Sequence, residues 1–370
     1  MKRSLENMNI ALVHEWITNV AGAEKVLLAL KELFPKAPIY TAVYDEKKAP
    51  AFKGFDIRTS ILQNIPFMKK KREVLIPFTP IAFEQFDLSK YDLVISSTTV
   101  AAKGVITKPE TIHVSYCHTP PRYLWNPEVD PRAARGAFQW LRKKTIHQMR
   151  IWDRVAADRV DYFMSNSKYI ADRIKKIYKR DAEVVYPPID VEKFTVLPES
   201  EIEDYYLFVS RLVDYKRCDI VIEAFNKLKL PLKVVGYGPD RKKLEASANK
   251  NVEFLGGKFG EELRSIFSHA KALVFAAEED FGIVPVEAMA AGRPVIAFRT
   301  GGQSESVIDG VTGVLFDEQS ADSIIGAVAC LEKLDLDSEK IRAQAEKFTK
   351  EIFKKNILAH LNQIISTHKL

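Results

Sequence analysis

Cysteine is scarce in this 370-residue chain: Cys117, Cys218 and Cys330 stand far apart and form no C-x-x-C pair. So few and so scattered, they argue against both a disulfide framework and a zinc site, and a cytoplasmic chain is the expectation. No apolar run approaches the roughly 18 residues needed to cross a bilayer. The opening Met-Lys-Arg-Ser-Leu-Glu-Asn-Met runs straight into a short strand without the apolar core of a signal peptide, so any membrane contact should be peripheral. Charge of one sign is also in short supply. Lys and Arg total 55 against 49 Asp and Glu, a net +6 that does not call for a nucleic-acid partner. At 46% hydrophobic and 28% charged, the composition excludes a disordered or collagenous chain, and the length suits two domains of ordinary size.

What is present is unevenly spread. Residues 1 to 190 carry 31 basic and 21 acidic side chains, and residues 191 to 370 carry 24 and 28. A half at +10 and a half at −4 are expected to face different partners.

Short β-branched runs alternate with segments of helical period, the pattern of βαβ units on parallel sheets. The first series is Asn9–His14, a helix over 22–34, Ile39–Val43, Leu93–Ser96, Ile112–Cys117, Tyr162–Ser165 and Val184–Tyr186. The second is Tyr206–Ser210, a helix over 217–228, Leu232–Val235, Val252–Leu255, Leu273–Ala276, Val295–Phe298 and Val314–Phe316. Pro187-Pro188-Ile189-Asp190 and the polar stretch to Glu203 read as a linker. The expected domains are 1–188 and 189–349, with a cleft between the carboxyl ends of two sheets. Everything from Ser338 to Leu370 reads as helix.

The strongest local signal runs from Glu279 through Asp280-Phe281-Gly282-Ile283-Val284-Pro285-Val286-Glu287 to Ala297. Pro285 and Gly292 bracket a short helix after a strand, so the amides around Phe281, Gly282 and Ile283 lie at a helix N-terminus, suited to phosphate or sugar oxygens. Carboxylates only accept, so Glu279 and Glu287 suit two sets of hydroxyls, such as a sugar and a ribose diol. The plainer reading makes Glu287 a solvated helix residue and Glu279 a partner of the helix dipole.

This segment resembles the E-x7-E motif of retaining GT-B glycosyltransferases of glycosyltransferase family four. The resemblance implies that Glu279 contacts the donor sugar and Glu287 the ribose, with Val284 in the same donor-binding segment. Val209-Ser210-Arg211-Leu212-Val213-Asp214-Tyr215-Lys216 is similar to the family's G-R-L-x-x-x-K segment, whose Arg and Lys hold the diphosphate; Arg211 and Lys216 take those roles. A guanidinium fork and an ammonium supply positive charge where a leaving pyrophosphate gains negative charge. Val234-Val235-Gly236-Tyr237-Gly238-Pro239 resembles the V-G-x-G-P segment, in which Gly236 and Gly238 let the chain turn toward a ligand. Asn251–Gly257 falls where the family packs the base.

In the first half, Ala21-Gly22-Ala23-Glu24 follows the strand ending at His14, and Gly22 is similar to the glycine that lets backbone reach the donor phosphate. Tyr116-Cys117-His118-Thr119-Pro120-Pro121-Arg122-Tyr123-Leu124-Trp125 resembles the H-T-P-x-R-Y-x-W segment of O-antigen-type mannosyltransferases. His118 can meet a sugar hydroxyl or the acceptor's proton, and Arg122 is an acceptor-side candidate. Ser165-Asn166-Ser167 reads as a helix cap, as does Asp335-Leu336-Asp337. No cluster has metal-ligand spacing, so no metal or other cofactor is expected.

A helix over 135–158 has a core stripe of Phe138, Leu141, Thr145, Met149, Trp152 and Ala156. Lys143, Lys144, His147, Arg150 and Arg154, beside Trp140 and Ile151, form a basic face suited to an anionic membrane, and Phe67-Met68-Lys69-Lys70-Lys71-Arg72 is a second basic run. An ordinary solvated charge run reads as well.

The fold class expected is α/β GT-B, two Rossmann-like domains, with the last helix (about 350–370) crossing back onto the first domain as in the family. The function expected is a retaining, metal-independent hexosyltransferase at the inner face of the cell membrane. It would move mannose from GDP-mannose to a lipid-linked oligosaccharide in surface polysaccharide or glycan synthesis. A UDP-sugar transferase, a nucleotide-sugar epimerase and a membrane-associated scaffold are the alternatives.

Overall fold

The computed structural model describes residues 4–65, 76–126 and 139–368. The Phe67–Arg72 run and Phe138 lie outside those residues, as does the side chain of Leu141. The chain divides into two compact units, one running to Pro188 and resuming at Phe353, the other Ile189–Ile352.

The first unit is built on a seven-stranded sheet: β1 (Ile10–His14), β2 (Ile39–Thr41), β3 (Ile57–Thr59), β4 (Leu93–Thr98), β5 (Ile112–Cys117), β6 (Tyr162–Ser165) and β7 (Ala182–Val184). The order is β3-β2-β1-β4-β5-β6-β7, and every pairing is parallel. β4 and β5 are buried along their whole length, as strands covered on both faces must be, which is why they read as apolar runs. Two strands differ from expectation. β3 is three residues at an edge, too short to show a period, and β7 precedes the expected Val184–Tyr186. There the apolar Val184-Val185 pair drew the reading downstream, although Val185 does continue the ladder by donating to the Ser165 carbonyl at 2.9 Å.

The Gly22–Leu33 helix buries Val26, Leu27, Ala29 and Leu30 against this sheet. The Lys350–Thr367 helix repeats Phe353, Ile357, Leu361 and Ile364 at helical spacing and buries them in the same cluster as Leu12, Val114 and Tyr116. The Gln139–Asp158 helix buries Met149 and Ala156 as its period suggests, but also Asp153, which is fully buried. The Asp153 carboxylate accepts from Lys103 Nζ (2.5 Å), Trp125 Nε1 (2.7 Å) and Tyr178 Oη (2.9 Å). Three donors satisfy a charge that would otherwise cost several kcal/mol to bury.

The second unit holds a six-stranded parallel sheet: β8 (Tyr206–Val209), β9 (Leu232–Val235), β10 (Val252–Gly256), β11 (Ala272–Phe275), β12 (Val295–Phe298) and β13 (Gly313–Phe316), in the order β10-β9-β8-β11-β12-β13. Its core joins Tyr206, Phe208 and Val274 to the Cys218–Leu228 and Ala321–Leu331 helices through Val221, Phe225, Ile324 and Val328. In each sheet the strand order reverses once, at β1/β4 and at β8/β11. Beyond the carboxyl ends of such a pair the connecting loops diverge to opposite faces, which makes this the place where open α/β sheets bind ligands.

Candidate functional site

In the second unit, β8 runs into the Ser210–Lys216 loop. A tight turn over Asp214–Lys216 closes when Lys216 N donates to the Val213 carbonyl (2.9 Å), and it ends at Arg217 with φ 56°. A left-handed non-glycine residue is costly and persists where its surroundings over-determine it. The turn aims Lys216 Nζ across to the loop after β11, where it forms an ion pair with Glu279; the two side chains are 15% and 19% exposed. The same ammonium lies 5.2 Å from the Tyr215 ring centroid, and Tyr215 Oη accepts from Arg211 Nη2 at 2.6 Å. Tyr215 therefore links the two cations, a role its place in the motif did not announce. Arg211 itself is exposed.

Glu279 is held by its backbone. Gln303, fully buried, accepts from the Glu279 amide through Oε1 (3.2 Å) and donates through Nε2 to the carbonyls of Ala277 (2.9 Å), Phe298 (2.9 Å) and Thr300 (2.7 Å). The Gly302 amide donates to the Glu279 carbonyl at 2.8 Å, and a Cβ on Gly302 would stand 2.2 Å from the Asp280 carbonyl oxygen. These bonds fasten the loop after β11 to the loop after β12. Gln303 went unnoticed in the sequence; the Gly301-Gly302-Gln303 run just after a strand was the available signal. Gly282 is the left-handed N-cap of the Ile283–Ala290 helix, and Ile283, Val284 and Glu287 are half-buried on it. The Phe281 side chain is core, its ring centroid 5.4 Å from that of Phe348.

Gly236 and Gly238 serve the site through another loop. A Cβ on Gly236, at φ +147°, would lie 1.8 Å from the Ser210 carbonyl oxygen, and one on Gly238 would lie 2.0 Å from that of Leu212. Ser210 N and Leu212 N donate to the carbonyls of Val235 and Tyr237 at 3.1 and 3.0 Å. In the structure, the close approach these glycines permit is thus to the backbone on either side of Arg211. Asn251, in the segment expected to meet a base, donates instead to the Phe225 and Leu230 carbonyls.

In the first unit, His118 follows β5 and is 8% exposed. Its Nε2 lies 2.8 Å from Ser97 Oγ, which lies 3.1 Å from His14 Nδ1; His14 Nε2 is 3.8 Å from Glu24 Oε1. Glu24 Oε2 accepts from the Ala21 amide at 2.9 Å, beside Gly22, the first residue of its helix. Burial lowers the His118 pKa to about 3, with His14 adding to the shift and Glu24 opposing it. Burial alone would raise the Glu24 carboxyl, but the His14 ring and the Ala21 amide hold it below its ordinary value. Cys117 points away from this chain of groups, into a cluster with Ala157, Phe163 and Ile170, so the two neighbours do not form a nucleophile pair.

Glu15, the next residue after β1, is 2% exposed, and its Oε1 accepts from Thr98 Oγ1 and the amides of Thr99, Val100, Ala101 and Ala102 at 2.7–3.0 Å. Consecutive amides of this kind make an anion-binding nest, here filled by the protein's own carboxylate. Asn166 does more than precede a cap: its Nδ2 donates to the His118 carbonyl at 3.0 Å, while Ser167 Oγ caps the Lys168–Tyr178 helix. Asp337 caps the Ser338–Ala345 helix through the Glu339 and Lys340 amides, as expected. Arg122 is half-buried at the start of the short Arg122–Trp125 helix.

The basic face expected on the Gln139–Asp158 helix is smaller in the structure. Arg150 Nε donates to the Leu124 carbonyl at 2.6 Å, and Arg154 pairs with Asp158 at 2.5 Å. Lys143, Lys144 and His147 remain exposed, with Trp140 at 67% and Ile151 and Val155 each at 49%. Among the described residues no helix is long and apolar enough to cross a membrane.

The Glycosyltransferase Family 4 model matches residues 20–193, and the Glycosyl transferases group 1 model matches residues 191–348. An uncharacterized glycosyltransferase of Methanocaldococcus jannaschii is 32% identical over 211 residues, 56% of this chain and 58% of that protein. A GDP-mannose-dependent alpha-(1-6)-phosphatidylinositol monomannoside mannosyltransferase of Mycolicibacterium smegmatis is 33% identical over 197 residues, 45% of this chain and 51% of its own. The chain spans about half the length of these relatives. Among solved structures, sucrose-phosphate synthase of Thermosynechococcus elongatus superposes with a TM-score of 0.73 at 17% identity, covering 97% of this chain and all of that one. HepE of Anabaena, solved with UDP and glucose, gives a TM-score of 0.70 at 18% identity over 96% of this chain and 100% of its own. At these identities the likeness is one of fold.

Proposed function

Since the chain belongs to glycosyltransferase family 4 and has the GT-B fold, we propose that it moves a hexose from a nucleotide sugar to an acceptor hydroxyl with retention of configuration. The observation that carries the reading is the Lys216–Glu279 pair at the carboxyl ends of β8 and β11, with Arg211 joined to it through Tyr215. An ammonium has three donors, so Lys216 can keep Glu279 and still give N–H groups to a diphosphate. Arg211 adds a planar fork suited to phosphate oxygens. Glu279 then takes donor-sugar hydroxyls and Glu287 the ribose diol, as the E-x7-E resemblance implies.

The reaction breaks the bond between the anomeric carbon and the diphosphate oxygen. Positive charge on Arg211 and Lys216 stabilises the negative charge that develops there. The departing diphosphate takes the proton of the acceptor hydroxyl, whose oxygen bonds to the anomeric carbon on the face being vacated. No step calls for a metal. His118 is assigned to a substrate hydroxyl, and Arg122 to the acceptor side.

The donor is proposed to be GDP-mannose, supported by the mannosyltransferase relative that is 33% identical. The acceptor is proposed to be a lipid-linked oligosaccharide at the inner face of the membrane. Lys143, Lys144 and His147 would meet anionic headgroups there, and Trp140 and Ile151 the interface. A thermal-shift panel of GDP- and UDP-sugars tests the donor, since a ligand at a hundred times its dissociation constant stabilises by about 2.7 kcal/mol. GDP-mannose should give the largest shift, and the product should be retained in configuration by NMR. A larger shift with a UDP-sugar would move the donor assignment; an inverted product or an isomerised donor would reject the retaining transferase.

A further inference from the structure

Ser97 Oγ stands between two imidazoles, 3.1 Å from His14 Nδ1 and 2.8 Å from His118 Nε2. A hydroxyl has one proton. If it donates to one ring it must accept from the other, so the tautomers of the two histidines are tied together. What breaks the symmetry is the far side of His14, where Nε2 faces Glu24 Oε1 at 3.8 Å in a site that leaves His14 2% and Glu24 5% exposed. A buried carboxylate opposite a ring nitrogen favours a proton on that nitrogen.

We infer that Glu24, acting through His14 and Ser97, holds His118 as its Nε2–H tautomer and so presents Nδ1 as a hydrogen-bond acceptor for a substrate hydroxyl. The steps are forced in order. His14 carries its proton on Nε2, toward Glu24, which leaves a lone pair on Nδ1. Ser97 donates to that lone pair, and its oxygen accepts from His118 Nε2–H. Among the described residues nothing bonds to His118 Nδ1, which is left for a ligand. The His118 pKa near 3 keeps the ring neutral, so the tautomer and not the charge decides what it offers. Glu24, His14 and Ser97 are positioning residues here. The role in transfer, though not the tautomer itself, rests on the glycosyltransferase reading above.

The Ala21 amide makes the test sharp. It donates to Glu24 Oε2 at 2.9 Å, so in Glu24→Gln the carboxamide oxygen is kept at that amide and the NH2 group turns to His14. His14 Nε2 must then accept, its proton moves to Nδ1, Ser97 turns round, and His118 becomes the Nδ1–H tautomer. Histidine tautomers can be read by long-range proton–nitrogen NMR on full-length protein with labelled histidine, at about pH 8, above the ordinary histidine value; a His118→Gln variant assigns the signal. The expected result is Nε2–H for His118 in the wild type and Nδ1–H in Glu24→Gln. Ser97→Ala, a second variant should the first not fold, is expected to give a mixture of the two. Nδ1–H in the wild type, or an unchanged Nε2–H in a folded variant, overturns the relay. Glu24→Gln should also lower kcat tenfold or more, with the donor KM within threefold. A flipped tautomer with undiminished kcat overturns the assigned role in transfer. Failure of the wild type to transfer any sugar would strike the proposed function while the NMR result still decides the tautomer.

Discussion

The Lys216 ammonium and the Glu279 carboxylate form an ion pair although they belong to different βα loops, one after β8 and the other after β11. What brings them together is the strand order, in which β8 and β11 are neighbours at the reversal point of the sheet. Each side chain is aimed by backbone fixed elsewhere, Lys216 by the turn ending at left-handed Arg217 and Glu279 by Gln303.

Gln303→Ala should destabilise the second unit by about 2 kcal/mol, because it leaves the buried Ala277 carbonyl and the half-buried Phe298 carbonyl without their donor, while water can reach the carbonyl of exposed Thr300. It should also loosen the loop of Glu279 and raise the KM for the donor. Chemical unfolding and donor kinetics check both; an unchanged KM would mean that the loop holds its shape without this glutamine.

Gly236→Ala places a methyl group 1.8 Å from the Ser210 carbonyl oxygen at a φ that other residues rarely adopt. The Ser210–Leu212 segment has to move, at a cost of roughly 2 kcal/mol or more. Donor affinity, measured by calorimetry, should fall with it because Arg211 moves too.

Acid should weaken the first unit before carboxylates are titrated. Burial holds His113 neutral with a pKa near 4, Asp161 opposing, and His118 near 3. A histidine whose folded pKa lies below its unfolded value of 6.5 contributes stability that is complete above that value and lost as pH falls toward the folded one. Urea unfolding should show stability falling between about pH 6.5 and pH 4, and His113→Gln should remove up to about 3 kcal/mol of that total fall. A flat wild-type profile would contradict the neutral buried rings.

Lys143→Glu combined with Lys144→Glu should weaken binding to anionic vesicles in a pelleting assay by about thirtyfold or more, at roughly 1 kcal/mol for each lost cation near the surface and more for the repulsion added. Arg150 is left out of this pair because its guanidinium bonds the Leu124 carbonyl, so its loss would also disturb local structure. Unchanged pelleting removes the membrane reading of this helix.

Much of this was readable in the sequence. The buried strands announce themselves as β-branched runs, and the glutamate pair and the basic pair stand in spaced motifs that resemble a known family. The relations between motifs were not readable. His14 meets Ser97 because β1 pairs with β4 in that register, a long-range crossover that no local period encodes. Gln303 is one polar residue after a strand, and only its burial reveals four hydrogen bonds. Gly236 and Gly238 read as letting the chain turn toward a ligand, whereas in the structure the close approach they permit is to backbone beside Arg211. Asp153, in a helix read by its apolar stripe, is buried because its partners Lys103, Trp125 and Tyr178 come from three other segments.

The most direct test is the rate of sugar transfer by Lys216→Ala, compared with the wild type in the same assay with the donor that binds. The account predicts a fall of about a hundredfold or more in kcat, as for other losses of charge stabilisation at a leaving group, in a variant whose circular dichroism stays that of the wild type. Transfer at the wild-type rate by that folded variant would contradict it.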